Sequence, residues 1–330
     1  MAAYTAIDDP EAYFQVKLYS GTGSSLAVTL DGDTDMSPNL VWIKSRSHTN
    51  YHVATDTVRG VTEQIYPNDA GAEETTAGSL TVFGSDGFTV AGSSTDTNGS
   101  GRTYTAWCWN ESATSGFDIV AYSGTGSART VSHSLSATPH MIIIKRRDAS
   151  GTWHVYHNAL GADFVAAELD TNVDKKDNAN FMNDTEPTSS VFTVNTYDEV
   201  NASSGTHVAY CFAPKQGFSK FGYYVGNGNA NGPFVYTGFR PAFILYKNTD
   251  RDISWLIHDH KRLGYNINND EQHSDTNAVD GTDDRVDILS NGFKIRADDS
   301  YYNGNGKVMV YAAFAEAPFV NSNGVPCNAR

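Results

Sequence analysis

The feature that most constrains the fold is a set of sequence landmarks that recurs about every 102 residues. Each copy contains an aromatic strand that runs into a glycine turn, an apolar run between a proline and a lysine, and an aromatic-rich closing strand. The apolar runs have the same length in all three copies, at Pro38–Lys44, Pro139–Lys145 and Pro241–Lys247. A fixed period of this kind marks a structural unit copied in tandem. The sequence therefore predicts three modules.

A module of about 100 residues has room for the roughly seven short strands of a β-sandwich. The 29 glycines, 18 tyrosines and 16 phenylalanines also favour short strands and tight turns over long helices. We predict an all-β fold of three tandem β-sandwich-like modules with a pseudo-threefold internal repeat, spanning residues 13–116, 117–217 and 218–319. Residues 1–12 are predicted to form an N-terminal docking arm and residues 320–330 a C-terminal tail. A single ring whose strands are exchanged between modules is an alternative that the sequence leaves open.

Several residues at matching positions are predicted to fill the core of each module. Three aromatic residues spaced by 102 head an alternating strand, which favours a repeated core position over a sugar-stacking surface. A phenylalanine follows a turn in each copy, and two cysteines lie inside apolar strands, where a free thiol behaves as a small hydrophobic group. The predicted core set is Tyr51, Trp153, Trp255, Phe88, Phe192, Phe293, Cys108 and Cys211.

The charge pattern limits the partners that the chain can bind. The formal net charge is −15, so the sequence offers no basic stripe to neutralise nucleic-acid phosphates. A cationic partner fits this charge better than DNA does. No window is apolar enough for a membrane span, so we expect no membrane insertion.

Searches for catalytic and metal-binding patterns give only weak candidates. The sequence contains no complete nucleophile motif of a hydrolase, so we expect a protein that is not an enzyme. The alternating carboxylates Asp31, Asp33 and Asp35 resemble part of a calcium loop, but the glutamate that would complete it is missing, and a solvated turn is favoured. The histidine pairs at 154/157 and 258/260 lack further zinc ligands at a recognisable spacing. No cofactor is expected.

The loops differ between the three copies while the strands do not, so we expect the binding residues to lie in the loops. Recognition usually depends on loops held by a rigid scaffold. The predicted surface candidates are the loop tyrosines Tyr66, Tyr197, Tyr265, Tyr301 and Tyr302.

The landmarks carry a resemblance to a known group of proteins. The stretches DDPEAYFQVKLYSGTG, MSPNLVWIKSRS, GPFVYTGFRPAFILYK and AEAPFVNSNGVPCNAR resemble an uncharacterised triple-repeat β-domain family of tailed-phage virion proteins, mostly marine. The resemblance implies a location on the virion, in a tail fibre, a spike or another part of the adhesion apparatus.

That resemblance sets the functional expectation. We expect a non-enzymatic virion structural protein that contacts the host surface or neighbouring subunits. The expected partners are other virion proteins, further copies of this chain, and a host-surface glycan or protein. The homo-oligomer is expected to be a trimer by analogy with fibrous virion proteins. Two alternatives stay open: a head-decoration or head-spike protein, and a glycan-degrading tail protein.

Overall fold

The computed structural model of the chain describes residues 5–165, 167–262, 266 and 268–326. These residues form β-strands, with three four-residue α-helices and a 3-10 helix at Pro10–Ala12. Every strand pair in them is antiparallel. The predicted all-β class is confirmed. We refer to residues 13–116, 117–217 and 218–319 as segments 1, 2 and 3.

Segment 1 forms a four-stranded sheet in the order β1-β9-β3-β4, a three-stranded sheet in the order β2-β8-β7 and the pair β5-β6. Its elements are β1 (Phe14–Ser20), β2 (Leu26–Thr29), β3 (Leu40–Ser45), β4 (Val53–Asp56), β5 (Glu63–Gln64), β6 (Glu74–Thr75), β7 (Leu80–Gly84), β8 (Gly87–Val90), α1 (Thr95–Asn98) and β9 (Thr103–Trp109).

Segment 2 forms a five-stranded sheet in the order β10-β18-β12-β13-β15 and the pairs β11-β17 and β14-β16. Its elements are β10 (Phe117–Ser123), β11 (Arg129–Ser132), β12 (Met141–Arg146), β13 (His154–His157), β14 (Phe164–Val165), β15 (Ala167–Glu168), β16 (Lys176–Asp177), α2 (Ala179–Met182), β17 (Val191–Val194), α3 (Asp198–Asn201) and β18 (Thr206–Phe212).

Segment 3 forms one eight-stranded sheet in the order β19-β26-β21-β22-β23-β24-β25-β20. Its elements are β19 (Ser219–Val225), β20 (Phe234–Tyr236), β21 (Phe239–Asn248), β22 (Leu256–Asp259), β23 (Asn268–His273), β24 (Gly281–Leu289), β25 (Gly292–Ile295) and β26 (Val308–Pro318).

The three segments share strand order and register. In each segment the first strand pairs with the last strand, the last with the third, and the third with the fourth. These orders are β1-β9-β3-β4, β10-β18-β12-β13 and β19-β26-β21-β22. The second strand of each segment pairs with the strand that carries the turn phenylalanine, and a valine lies opposite that ring each time. The three valine and phenylalanine pairs are Val28 with Phe88, Val131 with Phe192, and Val235 with Phe293.

The strands of each sheet come from a single segment in the described residues, whereas the hydrophobic core is not divided in the same way. Segments 1 and 2 each have a core of their own, but the largest core cluster contains residues of all three segments. At its centre Phe314 of segment 3 packs on Phe14 of segment 1 at 5.3 Å and on Phe212 of segment 2 at 5.7 Å between ring centroids. The segments thus meet around a common apolar centre.

Three buried lysines join neighbouring segments in a cycle. Lys44, Lys145 and Lys247 close the matching apolar runs, and their side chains are inaccessible to solvent. Each Nζ donates a hydrogen bond to a backbone carbonyl of another segment: Lys44 to Ala278 (2.6 Å), Lys145 to Ala70 (2.9 Å) and Lys247 to Asn172 (3.1 Å). The hydrogen bonds therefore run in one direction around the molecule: from segment 1 to segment 3, from segment 3 to segment 2, and from segment 2 to segment 1. Desolvation lowers the pKa of each lysine to about 8.

Buried ion pairs reinforce two of these junctions. Arg59 and Asp56 of segment 1 form a solvent-inaccessible pair at 2.5 Å, and Tyr210 of segment 2 donates to the same carboxylate at 2.7 Å. At the matching position of segment 3, Arg262 pairs with Asp259 at 2.7 Å, and Trp107 of segment 1 donates to that carboxylate at 3.0 Å.

The third junction has a neutral histidine where the other two have an aspartate. His157 lies opposite Met141 in β13, as Asp56 lies opposite Leu40 in β4. Its Nδ1 accepts from the Ala159 N–H, so Nε2 carries the proton that it donates to the Tyr311 carbonyl of segment 3 at 3.1 Å. Burial lowers the pKa of His157 to about 4.

The lowered pKa of His157 predicts loss of stability in acid. The unfolded chain binds a proton at the usual pKa near 6.5, whereas the folded chain resists that proton until about pH 4. The stabilisation is present above pH 6.5 and is lost as pH falls toward 4, by up to about 3 kcal/mol. His157→Gln retains a donor for the Tyr311 carbonyl but cannot bind this proton. Between pH 7 and 4, its free energy of unfolding, measured with urea, should therefore fall by about 3 kcal/mol less than that of the wild type. Profiles of equal slope for the two proteins would contradict this.

A buried asparagine secures the glycine turn of each segment. Asn201 Oδ1 accepts from the Thr125 N–H at 2.9 Å, and its Nδ2 donates to the carbonyls of Ser127 and Asn195 at 2.7 and 2.6 Å. Asn98 and Asn303 make the same three kinds of bond in segments 1 and 3. These bonds hold the second strand of each segment against its partner.

Removing this amide is expected to destabilise the protein measurably. Asn201→Ala leaves one N–H and two carbonyls without their partner in a buried place, which should lower the free energy of unfolding by about 2 kcal/mol. Urea denaturation of Asn201→Ala beside the exposed control Asn323→Ala tests this, since the control should change stability by less than about 0.5 kcal/mol. Equal effects of the two substitutions would show that the amide is not a structural clamp.

Candidate functional site

Exposed aromatic side chains concentrate on β19 and β20 of segment 3. Five aromatic side chains are exposed in the described part of the chain, and three of them, Tyr223 (59%), Phe234 (47%) and Tyr236 (54%), lie on these two strands. Val225, at the end of β19, is also exposed. Apolar side chains gathered on one surface usually mark a binding site.

Strand geometry explains why these side chains point outward. Successive residues of a strand face opposite sides, so Phe234 and Tyr236 share one face while Val235 between them is buried. In the same way, Tyr223 and Val225 are exposed on either side of the buried Tyr224. The pattern places the aromatic faces outside and leaves the apolar core intact.

The two strands border a concave surface that we call the segment-3 cleft. β19 and β20 are the first and last strands in the eight-stranded order, so each has a neighbouring strand of this sheet on one side only within the described residues. One hollow of about 340 Å³ is lined by Lys220, Gly222, Tyr223, Tyr224, Phe234, Val235, Tyr236 and Tyr311. A second hollow of about 410 Å³ shares Lys220 and Tyr236 and is otherwise lined by Pro214, Gln216, Gly217, Ser219, Thr237 and Gly238.

The matching positions of segments 1 and 2 carry smaller side chains. For β20 and its equivalents, matching positions are the same number of residues away from the valine that lies opposite the turn phenylalanine. Phe234 matches Ala27 and Thr130, and Tyr236 matches Thr29 and Ser132. Tyr223 matches Leu18 and Ala121. The set of three exposed aromatics therefore belongs to segment 3, although the backbone pairing is common to all three.

Lys220 is the charged residue of the cleft. Its Nζ donates to the Tyr236 carbonyl at 2.6 Å and lies 5.4 Å from the centre of the Tyr236 ring. Desolvation lowers the pKa of this lysine. No carboxylate forms an ion pair with it in the described residues, and all other residues lining the two hollows are uncharged.

The loop tyrosines predicted as binding residues do not form one surface. Tyr66 and Tyr302 are buried, so their prediction as surface residues was wrong. The hydroxyl of Tyr66 donates to Glu74 at 2.7 Å, and that of Tyr302 donates to the Ser254 carbonyl at 3.2 Å. Tyr197 is half-buried against His154, with 4.9 Å between ring centroids. Tyr301 is exposed beside Arg251, and Tyr265 lies outside the described residues.

The predicted core residues are buried, with one exception. Trp153, Trp255, Phe88, Phe192, Phe293, Cys108 and Cys211 are all at most 3% exposed. Tyr51 is 45% exposed, so its prediction as a core residue was wrong. The register of β3 with β4 places His52, not Tyr51, where the other segments have their tryptophan. His52 is buried and accepts a hydrogen bond from Trp42 Nε1 at 2.9 Å.

The candidate metal ligands of the sequence are not brought together. Asp31, Asp33 and Asp35 are exposed, and Asp31 pairs with Lys17. His154, His157 and His258 are buried at separate positions of β13 and β22. Within the described residues no group of three or more histidine, cysteine, aspartate or glutamate side chains could hold a metal ion. Burial raises the pKa of the Cys108 and Cys211 thiols, which are free cysteines.

The segment-3 cleft is accordingly the surface with the features of a binding site: exposed aromatic faces, two adjoining hollows and an unpaired ammonium group. No helix in the described residues has the length and apolar character needed to cross a membrane.

Comparison with protein families places the chain in a family. A family model described as a domain of unknown function, DUF7483, matches residues 9–318. None of the curated proteins compared with the chain matches it.

Proposed function

The chain belongs to the DUF7483 family, and we propose that it is a non-enzymatic structural protein of a phage particle that contacts the host surface through the segment-3 cleft. Its place in the virion would be the tail fibre, the spike or another part of the adhesion apparatus. Other virion proteins would hold it there, and a homotrimer is the oligomer that we favour.

The observation that carries this proposal is the exposed aromatic set of Tyr223, Phe234 and Tyr236. Exposing three aromatic side chains together has no benefit for folding, because burial of each would be favourable. The equivalent strands of segments 1 and 2 form the same pairs with smaller, non-aromatic residues at these positions, so the backbone does not require the aromatics. A ligand or partner that covers them accounts for their retention.

The frame that holds the cleft supports a mechanical role. The three segments share one apolar core, and hydrogen bonds from buried lysines connect each of them to a neighbour. A binding surface on such a frame needs little ordering when it binds, which preserves affinity.

We further propose that the segments are tandem copies of one β-sandwich-like module arranged with pseudo-threefold symmetry. The shared strand order, the matching valine and phenylalanine pairs and the cyclic lysine contacts support this arrangement. Specialisation of one copy would then explain why the aromatic set occurs only in segment 3.

Two measurements test the proposed function. An electron-microscopy map of the intact particle should place this chain in the tail or adhesion apparatus, and a position on the head shell would contradict the proposal. The purified full-length chain should bind host cells and compete with the phage for adsorption. Absence of any binding to host cells, from a chain that is correctly folded by circular dichroism, would overturn the attachment role.

A further inference from the structure

We propose that the ligand of the segment-3 cleft is an acidic glycan, whose sugar rings stack on Tyr223, Phe234 and Tyr236 and whose carboxylate pairs with Lys220. This inference rests on the proposed attachment function and specifies the chemical class of the receptor.

The aromatic geometry suits a chain of sugar rings. Phe234 and Tyr236 are two residues apart on one face of β20, so their side chains are separated by roughly 7 Å along the strand. Tyr223 lies on β19, among the residues that line the same hollow. An aromatic ring presents a flat, apolar face with a partial negative charge, against which the C–H face of a sugar can pack. The cleft thus offers stacking positions on both strands.

Lys220 supplies the reason to expect a negative charge on that glycan. The residues at the matching positions of segments 1 and 2 are not cations, and their side chains accept hydrogen bonds from the backbone. Gln15 Oε1 accepts from the Gly32 N–H at 2.8 Å, and Asp118 Oδ2 accepts from the Ser134 N–H at 2.5 Å. The match follows from strand register, since Gln15 lies opposite Cys108, Asp118 opposite Cys211 and Lys220 opposite Ala313.

The Lys220 ammonium is only partly satisfied by the protein. It donates to the single carbonyl of Tyr236 and has two further protons available. Desolvation lowers its pKa, and no carboxylate in the described residues forms an ion pair with it. A carboxylate from outside would compensate the charge with a charge-assisted hydrogen bond.

The overall negative charge of the chain does not prevent such binding. The formal charge of −15 is spread over 330 residues, and at physiological salt charges are screened beyond about 8 Å. No acidic residue lines either hollow of the cleft. At short range, an anion in the cleft therefore meets a cation and uncharged groups.

A binding experiment with matched glycans tests the inference. The full-length chain is titrated calorimetrically with oligosaccharides of alginate, polygalacturonate and hyaluronate, each beside its carboxyl-reduced neutral form. At least one acidic form should bind 10-fold or more tightly than its reduced counterpart, and the difference should shrink as salt is raised. Lys220→Met should remove the preference for the acidic form, while Lys17→Met, on the first strand of segment 1 and paired with Asp31, should leave it unchanged.

The outcomes separate this inference from the proposed function. If host cells bind the chain through the cleft but acidic and neutral glycans bind equally, or if Lys220→Met retains the preference, the inference is overturned and the attachment role stands. If none of the three acidic glycans binds, or if an extended peptide occupies the cleft instead, the inference is likewise overturned. If host cells do not bind the chain at all, the attachment role itself fails.

Discussion

Arg59→Met is expected to lower the free energy of unfolding by about 3–5 kcal/mol, because it leaves the buried Asp56 carboxylate without its cation. The side chains of both residues are inaccessible to solvent. Removing one partner of a buried pair costs far more than removing an exposed one, since the remaining charge cannot regain its hydration.

The loss should also affect the junction between segments 1 and 2. Arg59 Nη1 donates to Glu73 at 3.0 Å, and the Glu73 carboxylate also accepts hydrogen bonds from Nε and Nη2 of Arg147 in segment 2. Tyr210 of segment 2 donates to the same Asp56 carboxylate as Arg59. We therefore expect the substitution to loosen contacts across the junction as well as within segment 1.

Thermal and urea unfolding measure the effect against a matched control. Arg146→Met removes the arginine of an exposed pair with Asp148 and should cost less than about 1 kcal/mol. Arg59→Lys keeps the charge but loses the planar fork that reaches Asp56, Glu73 and the Ala54 carbonyl together, so its stability should lie between those of the wild type and Arg59→Met. If Arg59→Met and Arg146→Met unfold alike, the buried pair does not stabilise the junction.

These junction contacts show what the sequence pattern could not supply. The apolar run that ends at Lys145 was recognisable from its period, but its acceptor, the Ala70 carbonyl, lies 75 residues away in an unpatterned loop. The pair between Arg147 and Glu73 spans 74 residues in the same way. Periodicity predicts strands and their faces, whereas contacts between loops depend on tertiary packing that has no local signal.

The position of Tyr51 illustrates a limit of repeat alignment. The spacing of 102 residues matches Tyr51 with Trp153 and Trp255, but strand pairing shows that His52 occupies the position of these tryptophans. A loop that is one residue longer in one copy is enough to shift the match. In a strand, such a shift moves a side chain to the opposite face, which is why Tyr51 is exposed and His52 is buried.

The proposed binding surface on β19 and β20 was not predicted from the sequence, for a related reason. Loop tyrosines were favoured, yet Tyr66 and Tyr302 turn inward because their hydroxyl groups find acceptors and their rings can be buried. Tyr223, Phe234 and Tyr236 belong to strands, where an aromatic residue is usually ascribed to the core. Comparison of the three copies at each strand position would have revealed them, because these positions are aromatic in segment 3 and non-aromatic in segments 1 and 2.

The same comparison provides the variant with the largest expected effect on binding. Tyr223→Ala, Phe234→Thr and Tyr236→Ser together place in segment 3 the residues that segment 2 has at the matching positions. Aromatic residues at the centre of an interface commonly contribute 2 kcal/mol or more each, and these contributions are not additive. The combined variant should therefore bind host cells or the acidic glycan about 100- to 1,000-fold more weakly than the wild type.

Stability should hardly change in this variant, which separates binding from folding. The three side chains are exposed, and the backbone pairing of β20 with β25 exists with small residues in β2 and β11. Circular dichroism and urea unfolding should match the wild type to within about 1 kcal/mol. Tyr301→Ala, at an exposed tyrosine of segment 3 outside the cleft, serves as the control and should retain full binding. Unaltered binding of the combined variant, or an equal loss in Tyr301→Ala, would show that the aromatic faces of β19 and β20 do not contact the receptor.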